Sequence, residues 1–210
     1  MQPTILAIIG KPLAGKDTQA DLLVAAHHEA VKISTGHIIR AVREEGETHR
    51  FWPLIGSYIE MEKNGIKLPD PEIIEMLGTV IKEQISEGKK ILVVAGSPRS
   101  FEQLDGFNQL SNGLGARLII AHIDATDSET YRRSATRNEG RVDDTPEVHA
   151  VRLNEYRNYV EPVVDFLQQK GSIIEIDGMK SKEEVFASLD REVNKRVFDP
   201  EMTLPQMARR

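Results

Sequence analysis

Residues 5–18 read ILAIIGKPLAGKDT, and the rest of the architecture can be worked out from this strand-loop-helix pattern. Five apolar residues, typical of a buried strand, lead into a glycine-bounded loop, and helix-compatible sequence follows from Thr18 to about residue 29. Such a loop points its backbone N–H groups at one spot, which the positive end of the next helix dipole also faces. Lys16 adds a charge that can reach the outer phosphates of a nucleotide. The pattern predicts a phosphate-binding loop.

This loop departs from the common phosphate-loop pattern at two positions. Asp17 stands where Ser or Thr usually follows the lysine as a magnesium ligand, and Thr18 comes one residue later. Leu13 occupies the middle of the loop, where a smaller residue fits more easily. The alternative interpretation is a plain strand-turn-helix connection in which Gly10 and Gly15 serve turn geometry only.

The composition is that of an ordinary globular protein, with 40% hydrophobic and 29% charged residues in a chain of 210. The net charge of −6 argues against a nucleic-acid binder, which would usually be basic. The absence of cysteine excludes a disulfide framework and a cysteine zinc site. Neither a signal-peptide pattern nor an apolar run long enough to span a bilayer is present. We therefore expect a cytoplasmic protein without nucleic-acid or membrane partners.

Strand and helix patterns alternate along the chain. Short aliphatic runs predict buried parallel strands at 5–9, 91–95, 118–123 and 173–176, with a short edge strand at 31–33. Helical spacing appears at 73–85, 148–169 and 182–197. This alternation favours an α/β domain with a parallel sheet.

Two stretches interrupt the alternation. Residues 34–71 are too many for a simple crossover, and they predict a small helical insertion with helices at 36–45 and 53–63. Residues 136–147 are polar and charged, and they predict a mobile surface loop. The tail after residue 197 contains two prolines and is expected to be extended.

A group of arginines forms a second candidate phosphate site. Arg133, Arg137, Arg141 and Arg152 are close in sequence, and the planar guanidinium group suits phosphate oxygens. The alternative for these four is a solvated surface paired with neighbouring acids, since exposed ion pairs are common. Arg99 favours the phosphate interpretation because it follows the strand at 91–95 at its carboxyl end, where ligands bind in open α/β sheets. The glycine loop follows the first strand in the same way, so two basic sites should converge at one edge of the sheet.

Taken together, these motifs resemble the adenylate kinase family of nucleoside monophosphate kinases over residues 5–193. The matching segments are GKDTQA at 15–20, ISTGHIIR at 33–40, GIKLPD at 65–70, GSPRS at 96–100 with Gln103 beyond, GRVDD at 140–144 with Arg152, Leu153 and Tyr156 beyond, KG at 170–171 and IDG at 176–178. The resemblance implies a P-loop NTPase three-layer α/β/α fold, with a five-stranded parallel sheet, a helical insertion that binds the monophosphate (NMP) and a short lid.

The resemblance also implies how the chain is divided. A single P-loop kinase domain covers 1–197, and a C-terminal tail covers 198–210. Within the domain, the core comprises 1–33, 73–132 and 148–197, the NMP-binding insertion is 34–72, and the short lid is 133–147. The lid lacks the long insertion with zinc cysteines, so no zinc is expected.

Site residues follow from the same resemblance, position by position. The catalytic set is Lys16, Arg99, Arg137, Arg141 and Arg152. The ATP-binding set is Gly10, Ala14, Gly15, Lys16, Asp17, Thr18 and Arg133, the last lying against the adenine of the donor. The NMP-binding set is Thr35, Gly36, Arg40, Gly96, Arg99, Gln103, Arg141 and Arg152, with Thr35 and Gln103 reading the acceptor base.

The activity that the resemblance implies is that of a monomeric adenylate kinase, ATP + AMP = 2 ADP, with Mg²⁺ and direct in-line transfer. Alternatives are a kinase for UMP, CMP or a deoxynucleotide, and a catalytically weak nucleotide-binding relative. A GTPase is disfavoured because no Asn-Lys-x-Asp segment for reading guanine is present.

Three departures from the family bear on these alternatives. Ala95 replaces an aspartate that holds magnesium through water, Ser97 replaces a phenylalanine, and His37 replaces a second aspartate. We expect no direct metal ligand, with Mg²⁺ held through water near Asp17. His37 could line the acceptor pocket and shift the acceptor away from AMP.

Overall fold

The computed structural model describes residues 2–136 and 145–198. Within these residues, one parallel sheet contains five strands in the order β2-β3-β1-β4-β5. The strands are β1 Thr4–Ile9, β2 Ala30–Ser34, β3 Ile91–Ala95, β4 Arg117–Asp124 and β5 Ile174–Asp177. The five-stranded parallel sheet expected from the sequence is confirmed, and β2 is an edge strand as predicted.

Helices connect the strands and cover both faces of the sheet. Their bounds are α1 Lys16–Ala26, α2 Thr35–Glu45, α3 Trp52–Ile55, α4 Ile59–Lys63, α5 Asp70–Ser86, α6 Phe101–Gly113, α7 Asp127–Thr136, α8 Pro146–Glu155, α9 Glu161–Gln169 and α10 Lys182–Phe198. Across residues 2–136 and 145–198, none of these helices is both long and apolar enough to cross a membrane.

The side chains of β1 show how the layers are held together. Every residue of β1 is buried, and successive side chains point to opposite faces of the sheet. Leu6 and Ile8 pack in one cluster with Leu23 of α1 and Leu189 of α10. On the other face, Ile5 joins a cluster with the residues of α2 to α6, while Ala7 and Ile9 pack with α6 and α9. The result is the three-layer α/β/α arrangement that the resemblance implied.

The insertion contains more breaks than its sequence suggested. The helix predicted at 53–63 is divided into α3 and α4 by a 3-10 turn, Gly56–Tyr58. A Cβ on Gly56 would lie 2.6 Å from the Trp52 indole, so the ring occupies the space that a side chain would need. A side chain at residue 56 would therefore force the tryptophan ring to shift.

Two further helices differ from the prediction. Helix α6 was not predicted because its buried positions include Gln103 and Ser111, which weaken the apolar spacing. The single helix predicted at 148–169 is α8 and α9, joined by a π-helical turn, Tyr156–Val160, just before Pro162. Because proline has no backbone N–H to donate, it favours such a change in the helical pattern.

Candidate active site

The loop between β1 and α1 has the geometry of an anion-binding loop. Gly10 has φ +147°, and a Cβ there would lie 2.4 Å from the carbonyl oxygen of Ile123 in β4. Gly15 precedes α1 with φ +101°. The Lys16 Nζ donates to the carbonyl oxygens of Gly10 at 2.9 Å and Lys11 at 2.6 Å. The loop therefore curls around the lysine charge at the positive end of α1.

A groove of about 680 Å³ lies on one side of this loop. It is lined by loop and α1 residues that include the predicted ATP-binding Ala14, Gly15, Lys16, Asp17 and Thr18, together with Arg132, Arg133 and the turn at 178–182. Its volume is in the range of nucleotide-sized pockets.

Arg133 closes this groove by joining three segments. Its Nη1 donates to the Leu13 carbonyl oxygen at 3.1 Å, and its Nη2 donates to the Gly178 carbonyl oxygen at 2.7 Å. Its Nε donates to Glu129 at 2.8 Å. Hydrogen bonds from Arg132 and Arg133 lower the pKa of the Glu129 carboxyl to about 2, so this carboxylate stays ionised beside them. Arg133 is thus part of the groove wall, in contrast to the solvated-surface alternative.

A second cavity, of about 180 Å³, lies on the other side of the loop. Its lining contains the predicted NMP-binding residues Thr35, Gly36, Arg40, Gly96, Arg99, Gln103 and Arg152. Leu13, Lys16 and Asp17 line both the cavity and the groove, so the two spaces meet at the loop. Residues from at least five separate parts of the chain converge here.

Arg99 is one of the cations that line this cavity. Its Nε donates to the Gly96 carbonyl oxygen at 2.7 Å, which fixes the guanidinium at the carboxyl end of β3. Burial and the charge of Arg152 lower the pKa of the Arg99 guanidinium, and Glu62, Asp17 and Glu155 oppose that shift. Two arginines held this close together favour a bound anion between them.

Two of these acids also connect the insertion to α8, and neither was predicted from a sequence pattern. Glu62 pairs with Arg43 at 3.1 Å and lies 3.8 Å from Arg152. Glu155 accepts a hydrogen bond from the backbone N–H of Lys67 at 2.9 Å. The insertion therefore lies against the helix that carries Arg152.

Uncharged polar groups also line the cavity. The hydroxyls of Thr35 and Ser97 are 3.1 Å apart and buried. Gln103 is also buried, and its amide bonds to Asp70 and to the backbone of Arg99, each at 2.8 Å. These groups suit the recognition of a base edge.

His37 was expected to line the acceptor pocket, and that expectation is wrong. Its side chain is exposed, and it is not among the described residues that line the cavity. Ser34 caps α2 by accepting from the His37 backbone N–H, and His37 follows on the first turn, turned towards solvent.

Ala95 and Asp17 are the two positions near the expected magnesium at which the sequence departs from the family pattern. Ala95 is buried at the end of β3 and supplies no carboxylate. Asp17 lies where groove and cavity meet and is 3.4 Å from Lys32. Although burial opposes it, the Ser34 hydroxyl and the charges of Lys32 and Lys16 lower the pKa of Asp17. Among the described residues, no cluster of three His, Cys, Asp or Glu could hold a metal directly.

Part of the predicted site cannot be placed. Arg137 and Arg141 lie outside the described residues, as do residues 137–144 of the predicted lid and 199–210 of the tail. The roles of these two arginines, and the boundaries of the lid, stay predictions.

Comparison with known proteins adds independent evidence. A sequence model of the family described as adenylate kinase matches residues 8–172. The chain is 30% identical to an adenylate kinase of Phenylobacterium zucineum, over 88% of this chain and 95% of that protein. It is 32% identical to an adenylate kinase of Thermus thermophilus, over 86% and 92%. It is also 28% identical to a UMP-CMP kinase of Danio rerio, over 90% and 96%. With its fold, phosphate loop and arginine-lined cavity, the chain belongs to the adenylate kinase family.

Proposed function

We propose that this protein is an ATP-dependent nucleoside monophosphate kinase, specifically an adenylate kinase that converts ATP and AMP into two ADP. The main support is that two spaces, the groove and the cavity, meet at a single phosphate loop. Lys16 lies at the junction, with the Arg133 groove on one side and the Arg99 cavity on the other. A direct transfer between two nucleotides needs such an arrangement, because both must reach the same phosphoryl group.

The charged groups fit an in-line transfer. Direct phosphoryl transfer needs no covalent intermediate with the protein. Catalysis therefore consists of aligning the two nucleotides and stabilising the charge of the transferred group in a site that excludes water. In our proposal Lys16 contacts the transferred group, while Arg99 and Arg152 hold the acceptor phosphate beside it. Arg137 and Arg141 would add further cations from the lid.

The donor nucleotide is assigned to the groove. Its phosphates would lie on the backbone N–H groups of the loop at residues 10–16, with the adenine near Arg133 and the turn that starts at Gly178. Arg133 ties that turn to the loop through two carbonyl oxygens, which supports a fixed wall for the base.

Magnesium would enter with ATP and neutralise the charge of its phosphates. The residues present fit an outer-shell role: Asp17 is ionised, lies at the junction, and is the acid that both linings share within the described chain. We propose that Asp17 holds metal-bound water in place of the carboxylate that Ala95 lacks.

Titration calorimetry of ATP with and without Mg²⁺ tests this role of Asp17. Asp17→Asn should lose the increase in ATP affinity that Mg²⁺ gives to the wild type, and adding Ala95→Asp should restore it. If Mg²⁺ raises the ATP affinity of Asp17→Asn as much as that of the wild type, this carboxylate plays no part in magnesium binding.

The acceptor is assigned as AMP because Thr35 and Gln103, which by the family resemblance read the acceptor base, both line the cavity. UMP or CMP is the second candidate, favoured by the similarity to a UMP-CMP kinase. Incubation with ATP, Mg²⁺ and each monophosphate in turn, with ADP formation followed, separates them. Turnover that is fastest with UMP or CMP would change the acceptor, and no turnover with any would favour a weak nucleotide-binding relative.

Arg99→Ala tests the acceptor site itself. Loss of a cation that holds the acceptor phosphate should lower kcat/KM by about 100-fold or more. The control is Arg191→Ala on α10, because this side chain is 63% exposed and is not among the described residues that line the cavity. Equal rates for the two variants would contradict the assignment of Arg99. A cytoplasmic location and a monomeric state stay predictions.

A further inference from the structure

Asp70 is a buried carboxylate with three donors around it. It is the first residue of α5, at the point where the insertion rejoins the core, and it is 8% exposed. Its Oδ1 accepts from Lys67 Nζ at 2.6 Å and from Gln103 Nε2 at 2.8 Å. Its Oδ2 accepts from the Ser100 hydroxyl at 2.8 Å. The neighbouring lysine charge and three hydrogen bonds explain how the carboxylate is tolerated there.

These bonds define which way the Gln103 amide points. A carboxylate accepts hydrogen bonds, so the Gln103 atom facing Asp70 is the NH₂ group. On the other side, the Gln103 Oε1 accepts from the backbone N–H of Arg99 at 2.8 Å, and a backbone N–H can only donate. Turning the amide over would place oxygen against carboxylate and N–H against N–H. Both pairings would leave buried polar groups unpaired, which is costly.

An amide held in one orientation offers its hydrogen-bond donor and acceptor to a bound base in one order only. Gln103 lines the acceptor cavity, and after its two internal bonds it retains one N–H donor and one oxygen lone pair. Adenine and cytosine present an amino donor next to a ring-nitrogen acceptor. Hypoxanthine, guanine and uracil present the reverse order, a carbonyl acceptor next to a ring N–H donor. A freely rotating amide could match both classes by turning over, whereas a fixed one matches only one.

We infer that Asp70 is a specificity-determining positioning residue: by holding the Gln103 amide in one orientation, it makes the acceptor site select amino-bearing bases over their keto counterparts. The inference rests on the proposed function, since it assigns the acceptor base to this cavity. Asp70 acts through Gln103 and does not itself contact the nucleotide.

The test compares AMP with inosine monophosphate (IMP), which differ at the base edge that an amide reads. Equilibrium dissociation constants from titration calorimetry are needed for the wild type, Asp70→Asn and Gln103→Leu. Asparagine has the shape of aspartate but can donate or accept, so it removes the carboxylate that opposes the turned amide and leaves only the Arg99 backbone N–H to hold it. We expect the wild type to prefer AMP, and the AMP-over-IMP preference of Asp70→Asn to fall by about tenfold or more. Most of that fall should come from tighter IMP binding.

Asp105→Asn is the matched control, because Asp105 is an exposed acid on the same helix as Gln103. The AMP-over-IMP preference of this variant should equal that of the wild type. Gln103→Leu should lose the preference even if Asp70→Asn does not fold. The inference is overturned if Asp70→Asn keeps its native circular dichroism and the wild-type preference, if Gln103→Leu keeps that preference, or if the wild type prefers IMP. A wild type that binds neither monophosphate overturns the proposed acceptor site as well, a result distinct from the others.

Discussion

Gly10→Ala tests whether the phosphate loop is shaped by the close approach of two strands. The new methyl group would lie 2.4 Å from the Ile123 carbonyl oxygen, whereas ordinary contacts begin at 3.4 Å. The carbonyl oxygen belongs to the backbone of β4, and the new methyl group would be attached to the backbone directly after β1, the strand paired with β4. Because no flexible side chain can give way, one strand end must move by about 1 Å, the difference between the two distances.

The expected cost has two parts. Overpacking of this kind destabilises by about 1–3 kcal/mol. The φ of +147° at Gly10 adds about 1–3 kcal/mol for a residue with a side chain. Together we expect a loss of about 4 kcal/mol in the free energy of unfolding, which for a chain of this size lowers Tm by about 8–16 °C.

Urea unfolding followed by circular dichroism gives the measurement, with two glycine variants that separate the causes. Gly15 has φ +101° with its nearest atom 4.0 Å away, so Gly15→Ala should cost only the backbone strain of about 1–2 kcal/mol. Gly113 in α6 has no atom within 4 Å, and Gly113→Ala should be neutral or stabilise by about 0.5–1 kcal/mol. If Gly10→Ala were no less stable than Gly15→Ala, the argument from strand contact would be refuted.

Two other changes have defined outcomes. Arg133→Lys should raise the KM for ATP several-fold, because the carbonyl oxygens of Leu13 and Gly178 are bonded by two separate guanidinium nitrogens, whereas lysine offers a single nitrogen. The control Arg191→Lys, at a side chain 63% exposed and not among the described residues that line the groove, should leave that KM unchanged in steady-state kinetics. The lowered pKa of Asp17 means that its ionised form stabilises the folded state above its unfolded pKa of about 3.9, and that this contribution is lost as pH falls through the lower folded pKa. Urea unfolding at pH 3, 4 and 6 should therefore show the wild type more stable than Asp17→Asn at pH 6, with the difference shrinking below about pH 4; a difference that does not change with pH would contradict this role.

Much of the fold followed from local patterns in the chain. The aliphatic runs predicted the strands, because strands covered on both faces must be apolar along their whole length. The phosphate loop was recognisable because its glycines and its lysine, placed between a strand and a helix, are the residues that such a loop needs to surround and contact phosphates. Arg99 and Gly10 could be assigned to one edge of the sheet because parallel strands bring their carboxyl ends together.

The elements that were missed have buried polar residues in place of an apolar pattern. Helix α6 presents Gln103 and Ser111 to the interior, and both are compatible with a loop when only the sequence is considered. Asp70 resembles any acid at the start of a helix until Ser100 and Gln103 are seen beside it. Their hydrogen bonds join residues about 30 positions apart, and no local spacing records them.

Hydrogen bonds and ion pairs between residues far apart in the sequence also position the functional groups. His122, which gave no signal in the sequence, is buried between Glu175 at 2.9 Å and the Tyr156 hydroxyl at 3.0 Å, and so supports a wall of the acceptor cavity. Glu62 meets Arg152 only because the insertion lies against α8. The strands, the phosphate loop and the family could be predicted from the sequence, because they depend on residues close together in the chain and on the spacing of apolar residues. The partners of buried carboxylates, histidines and amides depend on which surfaces pack together, so these became known only once the whole chain was folded.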